Sequence, residues 1–430
     1  MADQKEEKTA LPKMTQAELN DVIRKHIMFM TGRFGGARAV IKDRDLSGLT
    51  FHGANLSQSD FSGCTLSNAD LRNAIFEGAT LFGCNLTNAK LNNARMARAD
   101  MRGTDVSNAN LYKADMTDVD MRQGRTIGHS MDKGNEDQFK NPTSGATQLV
   151  GSNLAGAIMK KVAATSANFS GANMQDTQLQ GIKLKNAQLT GVDLSNANIS
   201  SADLSNADLS YSTMTGTNIE GALTRGANFE QALTDKSVGK DFSKEEVPFD
   251  DLILKHISWV ASGGQQGAQL DLTGTDMRKG PPLMNKKLTG MKATQATFAG
   301  MDMSGVEIQG SRLEKSDFRK CLLKNADMRG SSFAEALFHR ADLSKANLNP
   351  MSFKKPGGVQ YTQPCNFEKA SLRQAILAGA TIKEGQFMGA DLYEADFTNC
   401  DLRKADFTGA NITNAKFAGA IMDGAIFDRE

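Results

Sequence analysis

The chain is poor in the residues that catalysis usually recruits. It holds five histidines, one tryptophan and four tyrosines among 430 residues. No two histidines stand at metal-ligand spacing and there is no Cys-x-x-Cys, which argues against a zinc centre. Neither a G-x-S-x-G elbow nor a phosphate-binding P-loop occurs. No apolar run reaches the length of a membrane span. The first residues, MADQKEEKTALPKM, are charged and polar and do not read as a secretory signal. Lys and Arg number 50 against 49 Asp and Glu, so no strong field of either sign steers a partner. These absences lead us to expect a cytoplasmic protein with no catalytic, metal or cofactor site, no small-molecule substrate and no membrane span.

What the chain has is a beat of five. From Ile41 every fifth residue is apolar: Leu46, Phe51, Leu56, Phe61, Leu66, Leu71, Phe76 and onward. Two positions before each centre stands a small residue, such as Ala54, Ser59, Cys64 or Ala69. The repeat reads A-(D/N)-L-x-x, as in Ala69-Asp70-Leu71. A five-residue period fits neither a 3.6-residue helix nor a two-residue strand, and so belongs to a repeat architecture. Four runs keep strict register: 41–121, 149–229, 283–353 and 367–427. Only Ala164, Thr224 and Ala293 depart from Leu, Ile, Met, Phe or Val at the centre.

The phase shifts between runs mark insertions. Residues 122–148 are polar and glycine-rich and read as a surface loop. Residues 354–364 carry prolines and glycines and read as a short excursion. The third interruption has helical spacing: Phe249, Leu252, Ile253, His256, Ile257, Val260. Ser243–Glu246 resembles a capping box, with Pro248 delaying the first turn. The N-terminal segment shows the same spacing at Leu19, Val22, Ile23, His26, Ile27 and Met30, with Thr15–Glu18 as its capping box. We read an internal duplication: 1–40 as a helix and cap, 41–234 as a first solenoid with its loop at 122–148, 235–271 as a second helix and cap, and 272–430 as a second solenoid with its loop at 354–364.

The A-(D/N)-L-x-x repeats resemble those of the pentapeptide-repeat family. The resemblance implies an all-β solenoid: a right-handed, four-sided parallel β-helix with 20 residues per coil, here in two copies, each preceded by a short α-helical cap. His256, Trp259 and the Gly263–Gly264 pair are similar to a His-x-x-Trp plus Gly-Gly segment that precedes repeats in some members. His26 matches it, but Phe29 replaces the tryptophan. His26, His256 and Trp259 are therefore expected to be structural cap residues. With coils one strand spacing apart, ~4.8 Å, the product is a narrow rod with a filled core.

In-register positions absorb most residues that look functional. Cys64, Cys84, Cys321, Cys365 and Cys400 all take the small inward place and should be buried, reduced thiols. Aspartates such as Asp60, Asp70, Asp203 and Asp401 recur by periodicity and carry no catalytic signal. Methionines such as Met96, Met116 and Met328 are centres. Phe387, Phe407 and Phe427 stand 20 apart and should stack as one ladder. His52 and His339 follow centres and are expected to face solvent.

What stays out of phase points to a non-enzymatic interaction scaffold with an unknown protein partner. Candidate partner-binding residues are Arg125, Phe139, Lys140 and Tyr361 in the loops. Ile421, Met422, Ile426 and Phe427 make the last coil unusually apolar, and an open solenoid end is a liability unless paired. They are the candidate interface of a C-terminal homodimer. Residues 312–329 form a mildly basic face, with fewer cations and aromatics than nucleic-acid binding wants. The alternative that the resemblance implies is a DNA-mimic binder of DNA gyrase, as in quinolone resistance. Mimicry needs a strongly negative surface, and residues 41–122 hold nine Lys and Arg against ten Asp and Glu.

Overall fold

The structure is a computed structural model that describes residues 11–124, 145–245, 247–354 and 360–428. It divides into two compact units, Met1–Lys236 and Ser237–Glu430.

In unit 1 the five-residue beat becomes a square coil. Parallel bridges link residues 20 apart, as in Asp45–Thr65–Asn85–Asp105 and Thr50–Asp70–Lys90–Asn110. Four repeats thus complete one turn. The centre and the small residue two before it both point inward: Leu66, Leu71, Ala69 and Ala74 are all buried. The corner is made two residues after the centre, in the left-handed region. Gly63 has φ 72° and Asn68 has φ 58°. Glycine adopts this conformation at no steric cost, and asparagine tolerates it.

The Asp or Asn before the centre secures the turn. Its Oδ1 accepts the backbone N–H two residues on, as Asp60 does from Ser62 at 3.1 Å. Where that later residue is arginine, the guanidinium closes a bidentate pair on the same carboxylate. Arg72 donates to Asp70 at 2.8 and 2.7 Å, and Arg102 to Asp100 at 2.9 and 2.7 Å. The Arg72 side chain holds the Asp70 carboxyl down at about 2.

The first insertion leaves the coil without breaking it. Asp100 bridges Asp120, and Asp105 bridges Gln148 across the inserted residues. Met121 and Leu149 on its two sides are fully buried.

Unit 2 uses the same coil, with one slip of register and one departure from the sequence reading. The coil begins at Leu272 and Met277, before the first strictly phased centre, Leu283. Asp271 bridges Lys292 and Asp276 bridges Thr297, one residue more than a normal turn, so one extra residue puts the first side out of phase with the run that follows. The departure is at Phe353, which is not a coil centre. It belongs to a hairpin of strands β1 (Met351–Lys354) and β2 (Gln360–Gln363), paired antiparallel. The coil stops after Leu348 and resumes at Asn366, which bridges Ser332. Glycine makes room for the hairpin: a Cβ on Gly330 would fall 2.6 Å from the Met351 Cβ.

Two helices adjoin the coils. Helix α1 (Gln16–Met30) starts at Thr15 with the expected capping box to Glu18. Its Leu19 is buried in the unit 1 core, with Val22 and Ile23 packed against it. Helix α2 (Phe249–Ala261) starts after Pro248 without a side-chain cap. Ser243 lies instead in a short 3-10 turn, Phe242–Lys244, and its Oγ donates to Asp241. Glu246, the other half of the expected box, lies outside the described residues. Phe249 and Ile253 join the unit 2 core.

The cores differ in filling. In unit 2 phenylalanines stack down single columns. Phe333, Phe367, Phe387, Phe407 and Phe427 follow one another at 4.9–5.0 Å between ring centres, nearly parallel. All five cysteines are buried and free. Each thiol donates to a backbone carbonyl of the preceding coil, as Cys84 does to Phe61 at 3.0 Å. Burial pushes Cys64 up to about 11 and Cys365 and Cys400 up to about 12, which leaves them protonated and unreactive.

Candidate interaction surfaces

Two histidines tie a helix to the coil beside it. His26 is fully buried. Its Nδ1 accepts the Ala39 N–H at 3.1 Å, and its Nε2 meets the Ser57 carbonyl at 3.1 Å. The first bond fixes the neutral tautomer with the proton on Nε2. His256 does the same with the Leu270 N–H at 3.0 Å. Its Nε2 has no hydrogen-bond partner among the described residues, although the Leu288 and Thr289 carbonyls lie near it. Burial lowers both imidazoles below their usual range. Trp259 stacks on His256 with 5.8 Å between ring centres. It also leans on Gly290, where a Cβ would come within 3.4 Å of the ring. Beside it lies a shallow groove of about 290 Å³, lined by Ile257, Val260, Ala261 and Thr289 with Lys287 and Glu307.

The loop candidates divide. Arg125, Phe139 and Lys140 lie outside the described residues. Tyr361 stands on β2, exposed, its ring stacked on Phe353 at 5.2 Å. The hairpin thus presents an aromatic pair above the coil corner.

The open last coil is as apolar as its sequence implies. Ile421, Met422, Ile426 and Phe427 are between 36% and 53% exposed. Ile421 and Ile426 take the place before the centre, bridging Asp401 and Asp406 of the coil beneath. Unit 1 ends in a similar way, which sequence reading passed over. Ile219 and Leu223 are exposed there, Leu223 at 62%. The available signal was Leu223 itself: an apolar residue in the Asp/Asn place, next to the polar centre Thr224.

The basic lead at 312–329 dissolves into pairs. Arg319 binds Asp317, Arg329 binds Asp327, Lys315 lies 3.5 Å from Glu335 and Lys324 lies 3.1 Å from Asp342. His339 corrects another expectation. It is buried rather than solvent-facing, and its Nε2 lies against the Ser371 Oγ. Among the described residues no group of His, Cys, Asp and Glu is placed to hold a metal ion. No described helix is long and apolar enough to cross a membrane.

Comparison with known proteins follows this geometry. The profile of pentapeptide repeats matches residues 147–186, 187–223, 287–319, 311–349, 365–392 and 390–429. A profile of pentapeptide repeat regions matches residues 54–130. No curated protein matches the chain significantly. Among solved structures it is similar to QnrB1, a plasmid-mediated fluoroquinolone resistance protein. Identity is 18%, over 46% of this chain and 90% of that one, with a TM-score of 0.34. It is also similar to HetL, a pentapeptide repeat protein involved in heterocyst differentiation regulation in the cyanobacterium Nostoc. Identity there is 17%, over 95% of this chain and 97% of that one, with a TM-score of 0.18. Rfr23 of the cyanobacterium Cyanothece is 18% identical over 34% of this chain and 90% of its own, with a TM-score of 0.18. The profile matches extend over most of the described coils of both units. The chain belongs to the pentapeptide-repeat family, whose fold is the right-handed β-helix solenoid.

Proposed function

We propose that the protein is a non-enzymatic interaction scaffold, in a reducing compartment such as the cytoplasm, that displays loops and open coil ends on two solenoids. The observation that carries this reading is the filled interior. Every inward position of the middle coils holds a buried side chain, so the interior of the described coils leaves no room for a substrate. What the chain offers to a partner is outside the beat: the 122–148 insertion with Arg125, Phe139 and Lys140, the hairpin with Tyr361, and the exposed apolar end coils. The shared His–backbone geometry of α1 and α2 supports reading each unit as a helix-capped copy of one ancestral arrangement.

The test is an affinity capture from the native host, repeated with 122–148 deleted and with Tyr361→Ala. Loss of one dominant partner in either variant is the expected result. Equal recovery by both variants would move the site to the flat faces or the ends. Self-association through Ile421, Met422, Ile426 and Phe427 is a second use of one end. It predicts a concentration-dependent dimer in sedimentation that Ile426→Glu abolishes.

The gyrase-binding alternative has less support. A DNA mimic needs unpaired carboxylates, whereas Asp70, Asp100, Asp120, Asp276, Asp317, Asp327 and Asp401 each hold an arginine. Protection of gyrase supercoiling from a quinolone by the purified chain would revive it.

A further inference from the structure

The end of unit 1 away from α1 is wired differently from the coils before it. Inside the solenoid the N–H of each corner residue donates to a carbonyl one coil further on. Gly191 donates to Ser210 at 2.8 Å, Asn196 to Thr215 at 2.9 Å and Asn206 to Arg225 at 2.9 Å. The last coil has no such carbonyl to meet. At its first corner a carboxylate takes over: both oxygens of Asp235 accept from the Gly216 N–H at 3.0 Å. Unit 2 uses the same device, with Asp428 on the Gly409 N–H at 2.9 and 3.0 Å. A carboxylate is thus the group this corner takes when no coil follows.

The next two corners of unit 1 are Gly221 and Gly226, and both are exposed. Their N–H groups have no acceptor among the described residues, nor do those of the centres Ile219 and Thr224. Each such side points two donors outward, at the centre and at the corner. It returns one carbonyl, on Ala222 or Ala227, in the place where Ala202 and Ala207 accept from the coil above. Donors therefore outnumber acceptors. Beside them lie the exposed side chains of Ile219 and Leu223.

We propose that this end coil docks an extended segment of a partner protein in which acidic and aliphatic residues alternate. Its carboxylates take the Gly221 and Gly226 N–H groups as Asp235 takes that of Gly216. Its aliphatic side chains cover Ile219 and Leu223. Charge-assisted bonds to backbone N–H are the stronger kind, and an added strand at an open edge is an established mode of peptide recognition. A second copy of the same end would set donors against donors and bury some without acceptors, which is costly. The proposal deepens the scaffold reading by giving one partner's chemistry, and it rests on that reading.

The probe is a labelled hexapeptide of alternating Asp and Leu, compared with its Asn–Leu analogue, on the full chain. Fluorescence anisotropy measures binding, and amide hydrogen exchange reads Gly221 and Gly226. The Asp–Leu peptide should bind and slow both amides, and the Asn–Leu peptide should bind more weakly. Leu223→Glu, at an exposed position that should not affect folding, should weaken the Asp–Leu peptide by about threefold through like-charge repulsion. Unchanged exchange at both glycines, or equal binding of the two peptides, overturns the proposal. So does protection of these amides by self-association in the absence of peptide, which would assign the end to a second copy. Capture of a host partner that leaves Gly221 and Gly226 unprotected would preserve the scaffold reading while removing this site.

Discussion

The two units solve one problem with different parts. Each has a helix beside its first coil, and each helix places a histidine at the same task. In unit 1 the histidine uses both ring nitrogens, on the Ala39 N–H and the Ser57 carbonyl. In unit 2 the bond to Leu270 is kept and the second is not made, while the ring stacking is common to both: Phe29 lies on His26 at 6.1 Å and the larger Trp259 on His256 at 5.8 Å. Helix α1 starts with a full capping box, whereas α2 starts at a proline with none. The core of unit 1 is mostly Leu, Ala and Met, whereas unit 2 stacks phenylalanines in columns. The comparison teaches that the coil specifies register and inward volume, while end fittings are exchangeable. A lost hydrogen bond at one histidine and a lost cap at one helix are each worth about 1 kcal/mol. Buried centres contribute more, and there are many.

The largest expected effect tests the cores. Phe387→Ala removes a ring stacked on two others and should destabilise unit 2 by about 3–5 kcal/mol. Leu189→Ala in unit 1 should cost about 2–5 kcal/mol. Denaturant melts followed by hydrogen exchange should show each loss confined to its own unit. Equal loosening of both units by either variant would break the comparison.

The histidines come next. His26→Ala strands the Ala39 N–H and the Ser57 carbonyl, whereas His256→Ala strands only the Leu270 N–H. His26→Ala should therefore cost more, by about 1 kcal/mol, in chemical denaturation. A larger loss from His256→Ala would mean that the Trp259 stacking outweighs the missing bond.

Acid should affect both units together. Both imidazoles are held neutral by burial, with folded values below the ordinary 6.5. The folded state then binds fewer protons than the unfolded one between its own value and 6.5. Their contribution to stability is intact above about pH 6.5 and is lost as pH falls through the window below it. The slope can reach about 1.4 kcal/mol per pH unit for each histidine. Stability measured from pH 7.5 to 5 in the wild type and in His26→Gln should diverge in that window, with the variant less steep. Parallel curves would show that His26 takes up its proton alike in the folded and unfolded states.

The smallest effect is at the helix starts. Thr15→Ala should cost about 1 kcal/mol in unit 1. No single capping residue of α2 should match it, because Pro248 makes no side-chain bond there. Circular dichroism during denaturation would measure the difference.

Much of this was legible in the chain. The beat named the buried residues almost one by one, because a side chain that recurs every fifth place in a square coil always faces the same way. It placed Cys64 and Cys84 in the core and the Phe387–Phe407–Phe427 ladder in register. It failed where the register slips. The extra residue between Asp271 and Lys292 leaves Leu272 out of phase with the run from Leu283, and Phe353, in phase by chance, is a hairpin residue. Position alone also misjudged His339, because an outward place on the coil does not state what packs around it. The candidate surface was half legible. Tyr361 and the apolar end residues showed in the sequence as breaks in the pattern. The unpaired N–H groups of Gly221 and Gly226 left no mark, since these glycines look like every other corner.

The sequence by itself determined the coil, because inward volume and corner conformation are local properties repeated along the chain. Only the tertiary structure decided which backbone groups the coils leave unmatched, which histidine nitrogen finds a carbonyl, and which carboxylate reaches back to cap an end. Those depend on residues 19 to 31 positions apart meeting in space, and no local pattern encodes that meeting.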